Sequence, residues 1–285
     1  MKMKYSVVLA TLATTGGNVW EKPREVLEAI AGAGFDGVDL DAEPDRIPAK
    51  KFEEVRSLAA SLGLKVPALV AAWGGWHAGE DRDLGSSDEA VRRHSVGYAN
   101  KCIDLAAGMG GPVIEICCCP FRPEYPMSSA PLDAVRRNFV KSLREIGAHA
   151  AQRKVPVALE ALNRFEGYAG FMNSVSDAVG VIAEAGNGSV GVLADLFHIN
   201  IEDTSPSDAL RTAGPRLMHV HMADSNRAAP GTGHIDFLQL LRTLRSMGYT
   251  GYLSLDCVPA KPDWKTLLQR SITYMKQLEQ ILDLQ

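Results

Sequence analysis

Short apolar runs alternate with amphipathic stripes along almost the whole chain. The apolar, β-rich runs begin near Tyr5, Asp36, Lys65, Pro112, Val155, Val190, Leu217 and Tyr252, at intervals of 27 to 47 residues. A strand, a helix and their connections need about 30 residues, so each interval holds one such unit. Runs such as Val155-Pro-Val-Ala-Leu159 are apolar without alternation, as expected of strands buried on both faces of a parallel sheet. The stripes between them predict helices. Val135, Phe139, Leu143 and Ile146 recur at helical spacing, as do Phe237, Leu240, Leu241 and Leu244. Trp264, Leu267, Leu268, Met275, Leu278 and Leu282 form a long final stripe. Gly34, Gly63, Gly110 and Gly248 stand where helices are expected to end, and Ser174 and Ser207 where they are expected to start. Eight strand–helix units predict an α/β fold, a (β/α)8 TIM barrel, as a single domain over residues 1–285. A doubly wound open sheet is the alternative.

Composition narrows the function classes. The chain has 285 residues, 46% hydrophobic and 22% charged, enough to bury a core without disulfides or zinc. Thirty basic against 34 acidic residues give a net charge of -4. No basic excess is present to track a phosphate backbone, which argues against nucleic acid as a partner. No uncharged apolar run reaches the roughly 18 residues of a membrane span. The five cysteines are Cys102, Cys117, Cys118, Cys119 and Cys257. An odd count with three in a row is neither a disulfide framework nor a zinc ribbon, and it predicts a reducing, cytoplasmic location. Lys2 and Lys4 before the apolar run Tyr5–Ala13 are compatible with a short signal peptide. A barrel needs that run as its first strand, so we read it as strand.

In a (β/α)8 barrel the chemistry sits at the C-terminal ends of the strands. Four consecutive strands end in acids or imidazoles: Glu160 after the fifth, Asp195 and His198 after the sixth, His219 and His221 in the seventh, and Asp256 after the eighth. Of His219 and His221 we expect only one to reach the interior. Singly, each residue has a structural reading: Glu160 pairing with Arg164, or Asp195 capping a turn. Jointly, such carboxylates with an imidazole make a mixed nitrogen and oxygen site for one divalent metal ion: manganese, cobalt, magnesium or zinc. Such an ion polarises a carbonyl and stabilises an enediolate, and a neighbouring carboxylate can move a proton on the adjacent carbon.

The stretches Leu159-Glu160-Ala161-Leu162-Asn163-Arg164-Phe165-Glu166, Asp195-Leu196-Phe197-His198-Ile199-Asn200 and His221 followed by Asp224-Ser225-Asn226-Arg227 carry a resemblance. They are similar to the sugar phosphate isomerase/epimerase superfamily of xylose-isomerase-like barrels, and within it to the ketose 3-epimerase group. The spacings agree as well: 35 residues from Glu160 to Asp195, 26 to His221, 6 to Arg227 and 29 to Asp256. The resemblance implies that Glu160, Asp195, His221 and Asp256 ligate a metal, with manganese first among the candidates. It implies that Glu160 and Asp256 are the two proton-transfer carboxylates, and that Glu166, His198 and Arg227 bind a small-molecule sugar. It also implies a homodimer or homotetramer. The group usually carries Glu at the last ligand position. Asp256 is one methylene shorter, about 1.5 Å, and misplacement by 1 Å can cost about 10²-fold in rate.

Other segments are less specific. The loop of residues 71–83 carries Trp73, Trp76 and His77; Trp76 and His77 are candidate substrate contacts there. Glu115 and Arg122, around the fourth strand, could reach the site or pair elsewhere. Pro230-Gly231-Thr232-Gly233-His234 lies where barrels place phosphate loops, but two glycines also suit a plain turn. The expected activity is C3 epimerisation of a ketose or keto-polyol. Alternatives are a metal-dependent lyase resembling inosose dehydratase, an apurinic-endonuclease-like nuclease, and a non-catalytic sugar-binding barrel.

Overall fold

A computed structural model describes residues 2–71, 82–117, 131–167 and 170–284. Among them the elements run, in chain order, β1 (Lys4–Val7), α1 (Leu9–Ala13), α2 (Pro23–Ala33), β2 (Leu40–Ala42), α3 (Ala49–Ser61), β3 (Ala68–Ala71), α4 (Glu89–Gly108) and β4 (Val113–Cys117). There follow α5 (Leu132–Arg153), β5 (Val157–Glu160), α6 (Val175–Ala185), β6 (Val190–Asp195), α7 (Leu196–Glu202), α8 (Pro206–Ala213), β7 (Leu217–Met222), α9 (Phe237–Ser246), β8 (Tyr252–Leu255) and α10 (Trp264–Asp283).

The eight strands form one parallel sheet in the order β1-β8-β7-β6-β5-β4-β3-β2. The two ends of that order meet through a single parallel bridge, Val8 with Asp39. There Asp39 N–H donates to the Val7 carbonyl at 2.8 Å and Leu9 N–H to the Asp39 carbonyl at 3.1 Å. The sheet is thereby a closed (β/α)8 barrel, as the periodicity predicts, and not a doubly wound open sheet. Every residue of β5 and β6 is buried, which explains their uninterrupted apolar sequence.

Several strands start later than their apolar runs, and prolines are the reason. Pro67, Pro112 and Pro156 each directly precede the first residue of β3, β4 and β5. A proline has no N–H to give to the ladder. Its carbonyl still accepts: Val113 N–H donates to Pro67 at 2.9 Å and Ile114 N–H to Pro156 at 2.9 Å. The run Tyr5–Ala13 also divides, with β1 ending at Val7 and α1 starting at Leu9.

The helical stripes pack as their spacing predicts. Val135, Phe139, Leu143 and Ile146 on α5 and Phe237, Leu240, Leu241 and Leu244 on α9 are all buried. Ser174 caps α6 in a reciprocal box with Asp177. Ser207 does not cap α8; Ser205 does, with Pro206 at the first helical position, where its missing N–H costs nothing. The four glycines expected at helix ends all have positive φ. Gly34 shows the requirement best: at φ 98° it closes α2, and its carbonyl accepts from Lys276 Nζ at 2.8 Å. No helix among the described residues is long and apolar enough to cross a membrane.

Candidate active site and metal centre

A cavity of about 430 Å³ opens at the C-terminal ends of the strands. Its polar wall is built by β4 to β8 and includes Glu115, Glu160, Glu166, His198, His221, Arg227 and Asp256. The opposite wall, from β1 to β3, carries small apolar groups such as Val8, Ala10, Val70 and Ala71 together with Thr11, Thr14 and Asp41.

Each polar side chain is placed by a strand end. Glu160 is the last residue of β5 and Asp195 the last of β6. Asp195 also caps α7: Oδ1 accepts from Phe197 N–H at 2.7 Å. Its Oδ2 is buried and has no hydrogen-bond partner. One oxygen of Asp195 thus caps the turn, and the other is left without a partner. Glu160 does not pair with Arg164, whose guanidinium lies 2.7 Å from Glu202 instead. His221 is next to last in β7, and its Nδ1 lies 3.9 Å from both Glu160 Oε1 and Asp256 Oδ2. Neither His221 nitrogen has a hydrogen-bond partner. Asp195, His221 and Asp256 present possible ligand atoms within 4.8 Å of one another, and so do Glu115, Glu160 and His221.

His198 follows in the first turn of α7. Its Nδ1 receives the Asn163 side-chain amide at 2.7 Å and the Asn163 backbone N–H at 3.4 Å. A backbone N–H can only donate, so Nδ1 is the unprotonated nitrogen and Nε2 carries the hydrogen. Nε2 lies 3.6 Å from Asp195 Oδ2 and 3.8 Å from Glu160 Oε1 and Glu166 Oε2. His198 therefore offers a neutral donor to the cavity.

Arg227 is the cation of this wall. Nη1 donates to Glu166 Oε2 at 2.6 Å, Nη2 to Asp256 Oδ2 at 3.4 Å, and the guanidinium lies 4.7 Å over the Phe197 ring. Its backbone has φ 56°, rare for a residue with a side chain. The buried Asp224 holds this loop, taking N–H bonds from Ser225 at 2.7 Å, Gly231 at 2.8 Å and Ile235 at 3.1 Å. The glycine-containing loop thus spends amides on Asp224 and fixes the approach of Arg227.

Burial governs the electrostatics. It raises Glu160 well above the ordinary carboxylate range, with the charges of Asp195 and Asp256 adding to the effect. It pushes Asp195 up to about 7, against the pull of Arg227. Glu115 is raised by burial and then by Glu160. Burial lowers His221 to about 4 and takes His198 well below its ordinary value. For Arg227, burial opposes the charge, but Asp256, Asp195 and Glu166 hold it above its usual value. Clustered carboxylates that resist ionisation, around a neutral imidazole with a free nitrogen, are the donor set for a divalent cation.

The structure thus brings together Glu160, Asp195, His221, Asp256, Glu166, His198 and Arg227. Trp76 and His77 lie outside the described residues, as do Trp73 and Arg122. One expectation is corrected: His219 and His221 are both interior. Residues two apart on a strand share a face, and their rings lie 5.4 Å apart. His219 Nε2 meets Asp39 Oδ2 at 2.8 Å, deep in the barrel. Glu115 is more deeply engaged than its strand position implies. Its signal was a lone acid inside the apolar strand Val113-Ile114-Glu115-Ile116-Cys117.

Comparison with known proteins agrees with this geometry. A family model described as xylose isomerase-like TIM barrel matches residues 27–278. The chain is similar to 3-dehydro-D-guloside 4-epimerase of Escherichia coli, at 30% identity over 83% of this chain and 86% of that one. It is similar to D-psicose 3-epimerase of Enterocloster bolteae, at 29% identity over 87% of this chain and 80% of the relative. Among solved structures, the apo form of 3-keto-D-glucoside 4-epimerase from E. coli superposes with a TM-score of 0.81 at 28% identity, covering 97% of this chain and 100% of that one.

Proposed function

The chain belongs to the xylose isomerase-like TIM barrel family, and on that premise we propose that it is a divalent-metal-dependent sugar epimerase. It is an isomerase, and the two relatives described above are sugar epimerases. Its reaction is proton transfer at the carbon next to a sugar carbonyl, with C3 epimerisation of a ketose or keto-polyol as the reading favoured by the motif residues. The observation that carries this is the placing of two acids, Glu160 and Asp256, each 3.9 Å from one ring nitrogen, Nδ1 of His221.

Glu160, Asp195, His221 and Asp256 would hold the ion. The fit rests on two buried atoms without partners, Asp195 Oδ2 and His221 Nδ1, and on an excess of carboxylates over the guanidinium of Arg227. Manganese is our first assignment; cobalt, magnesium and zinc suit the same donors. When bound, the ion supplies positive charge to the substrate carbonyl oxygen. Glu160 takes the proton from the adjacent carbon, and Asp256 returns one from the opposite face. A raised carboxylate suits a group that both takes and gives protons near neutrality. Glu166, the Nε2–H of His198 and Arg227 orient the sugar hydroxyls. We further read the chain as one domain that assembles as a homodimer or homotetramer in the cytoplasm. The thiols of Cys102 and Cys257, neither in a disulfide, support the reducing location. The net charge of -4 supports a sugar rather than nucleic acid as substrate.

Glu160→Gln should lower kcat by about 10²- to 10⁴-fold with the fold retained. Turnover at the wild-type level in that variant sinks the mechanism. Product NMR in D2O separates the lyase reading: epimerisation places deuterium on the inverted carbon, whereas a lyase gives a dehydrated product.

A further inference from the structure

Glu115 occupies a costly position. It is the third residue of β4, 6% exposed, between Ile114 and Ile116 in a strand otherwise apolar. A carboxylate there loses its hydration and needs a donor in return. The nearest donor is His221. Nε2 of that ring lies 3.3 Å from Glu115 Oε2. Both atoms are buried, and neither has a hydrogen-bond partner. The competing groups are otherwise accounted for. His219 Nε2 is taken by Asp39 at 2.8 Å; Glu160, on the neighbouring strand, shares a hydrogen bond with Glu115, but Glu115 Oε2 has none. The other ring nitrogen, Nδ1, lies 3.9 Å from each of two acids, Glu160 and Asp256.

We propose that Glu115 is a positioning residue that receives the Nε2–H of His221 and so fixes the tautomer whose Nδ1 is free for a metal ion. A neutral imidazole has one donor and one acceptor nitrogen, and the hydrogen bond at one edge decides which nitrogen is left to ligate. This inference rests on the reading of His221 as a ligand and adds the group that aims it. The assignment follows from two buried atoms 3.3 Å apart, Nε2 and Oε2, neither with a hydrogen-bond partner elsewhere.

Two measurements test it. Metal-free protein is titrated with Mn2+, and free ion is followed by EPR. Glu115→Met should weaken Mn2+ binding about 10- to 100-fold, the usual effect of losing a group that orients a ligand. Glu115→Gln, which keeps an acceptor oxygen, should recover most of that affinity. In a His221→Gln background, Glu115→Met should add no further loss, because its action passes through the ring. Unchanged affinity in Glu115→Met, or the same loss without His221, overturns this inference while leaving the metal site standing. A wild-type protein that takes up no Mn2+ overturns the site reading and this inference together. The second measurement needs no variant. Two-bond 1H–15N spectra of histidine-labelled wild-type protein should show His221 protonated at Nε2 and bare at Nδ1. A proton on Nδ1 overturns the assignment even where a Glu115 variant does not fold.

Discussion

A backbone amide decides which proton His198 presents to the cavity. Asn163 donates to Nδ1 from both its side chain and its backbone, and Asn163 Oδ1 is itself fixed by Phe165 N–H at 3.0 Å. The amide therefore cannot flip without losing two bonds. Asn163→Asp replaces the side-chain donor with an acceptor that competes with the backbone N–H at Nδ1, and so loosens the hold that keeps the proton on Nε2, the donor aimed at the sugar. We expect kcat/KM to fall about 10- to 100-fold, mainly through KM, the scale of one buried hydrogen bond to substrate. Steady-state kinetics checks this, and an unchanged KM refutes it. Asn163 was visible in the sequence only as part of a motif; its role needs the ring of His198, 35 residues away. The same limit hid the partnership of Glu115 with His221 and of Asp39 with His219. Glu160, Asp195, His221 and Asp256 were legible because a polar residue closing a buried strand is costly and so conspicuous. Which inward polar residues meet depends on register across strands, and a linear pattern does not carry register.

The short helix α7 shows competing demands within one element. Its first residues follow Asp195 and carry His198, while its C-terminal cap is Asp203, a negative charge at the end of a helix that favours cations. Burial raises the Asp203 pKa from 3.8 to about 6, and Asp177 and Glu202 add to the rise against the bond from Val175 N–H. Between those pH values the native state holds a proton that the unfolded chain has lost. The stabilising contribution is thus complete below about pH 4 and gone as pH rises through about 6. Asp203→Asn should remove this dependence. After discounting for partial exposure, the variant should gain about 1 kcal/mol relative to wild type between pH 3.5 and pH 7. Urea melts at the two pH values measure it, and parallel shifts of both proteins would refute it. Element types were readable from periodicity, and the prolines before β3, β4 and β5 explain why their starts were misjudged. The cap of α8 was misplaced by two residues because Ser205 and Ser207 flank Pro206, and only the geometry shows which hydroxyl meets Asp208 N–H at 3.3 Å.

Across the whole molecule, the barrel interior is tied by a buried pair. Asp39, beside β2, and His219, in β7, meet at 2.8 Å across strands that are not neighbours in the sheet. Burial opposes the Asp39 charge, but the charge and hydrogen bond of His219 hold it below the ordinary carboxylate range. Asp39→Ala leaves an imidazole buried without its partner and should cost about 3 to 5 kcal/mol, read as a lowered urea midpoint. A loss under 1 kcal/mol would show the pair to be dispensable. The barrel itself was legible from the cadence of eight units; the closing contact was not, since it is one bridge between Val8 and Asp39. The other edge of β1 is held by β8, with Lys4 beside Tyr252 through Val7 beside Leu255. That pairing sets an order for synthesis. On the ribosome β1 emerges long before its partner exists, and it must wait until β8 has been translated. Asp256 follows β8 by one residue, so the same late event that closes the barrel delivers the last acid of the site. A nascent chain can present Glu160, Asp195 and His221, but Asp256 joins them only once β8 has been made and has paired with β7.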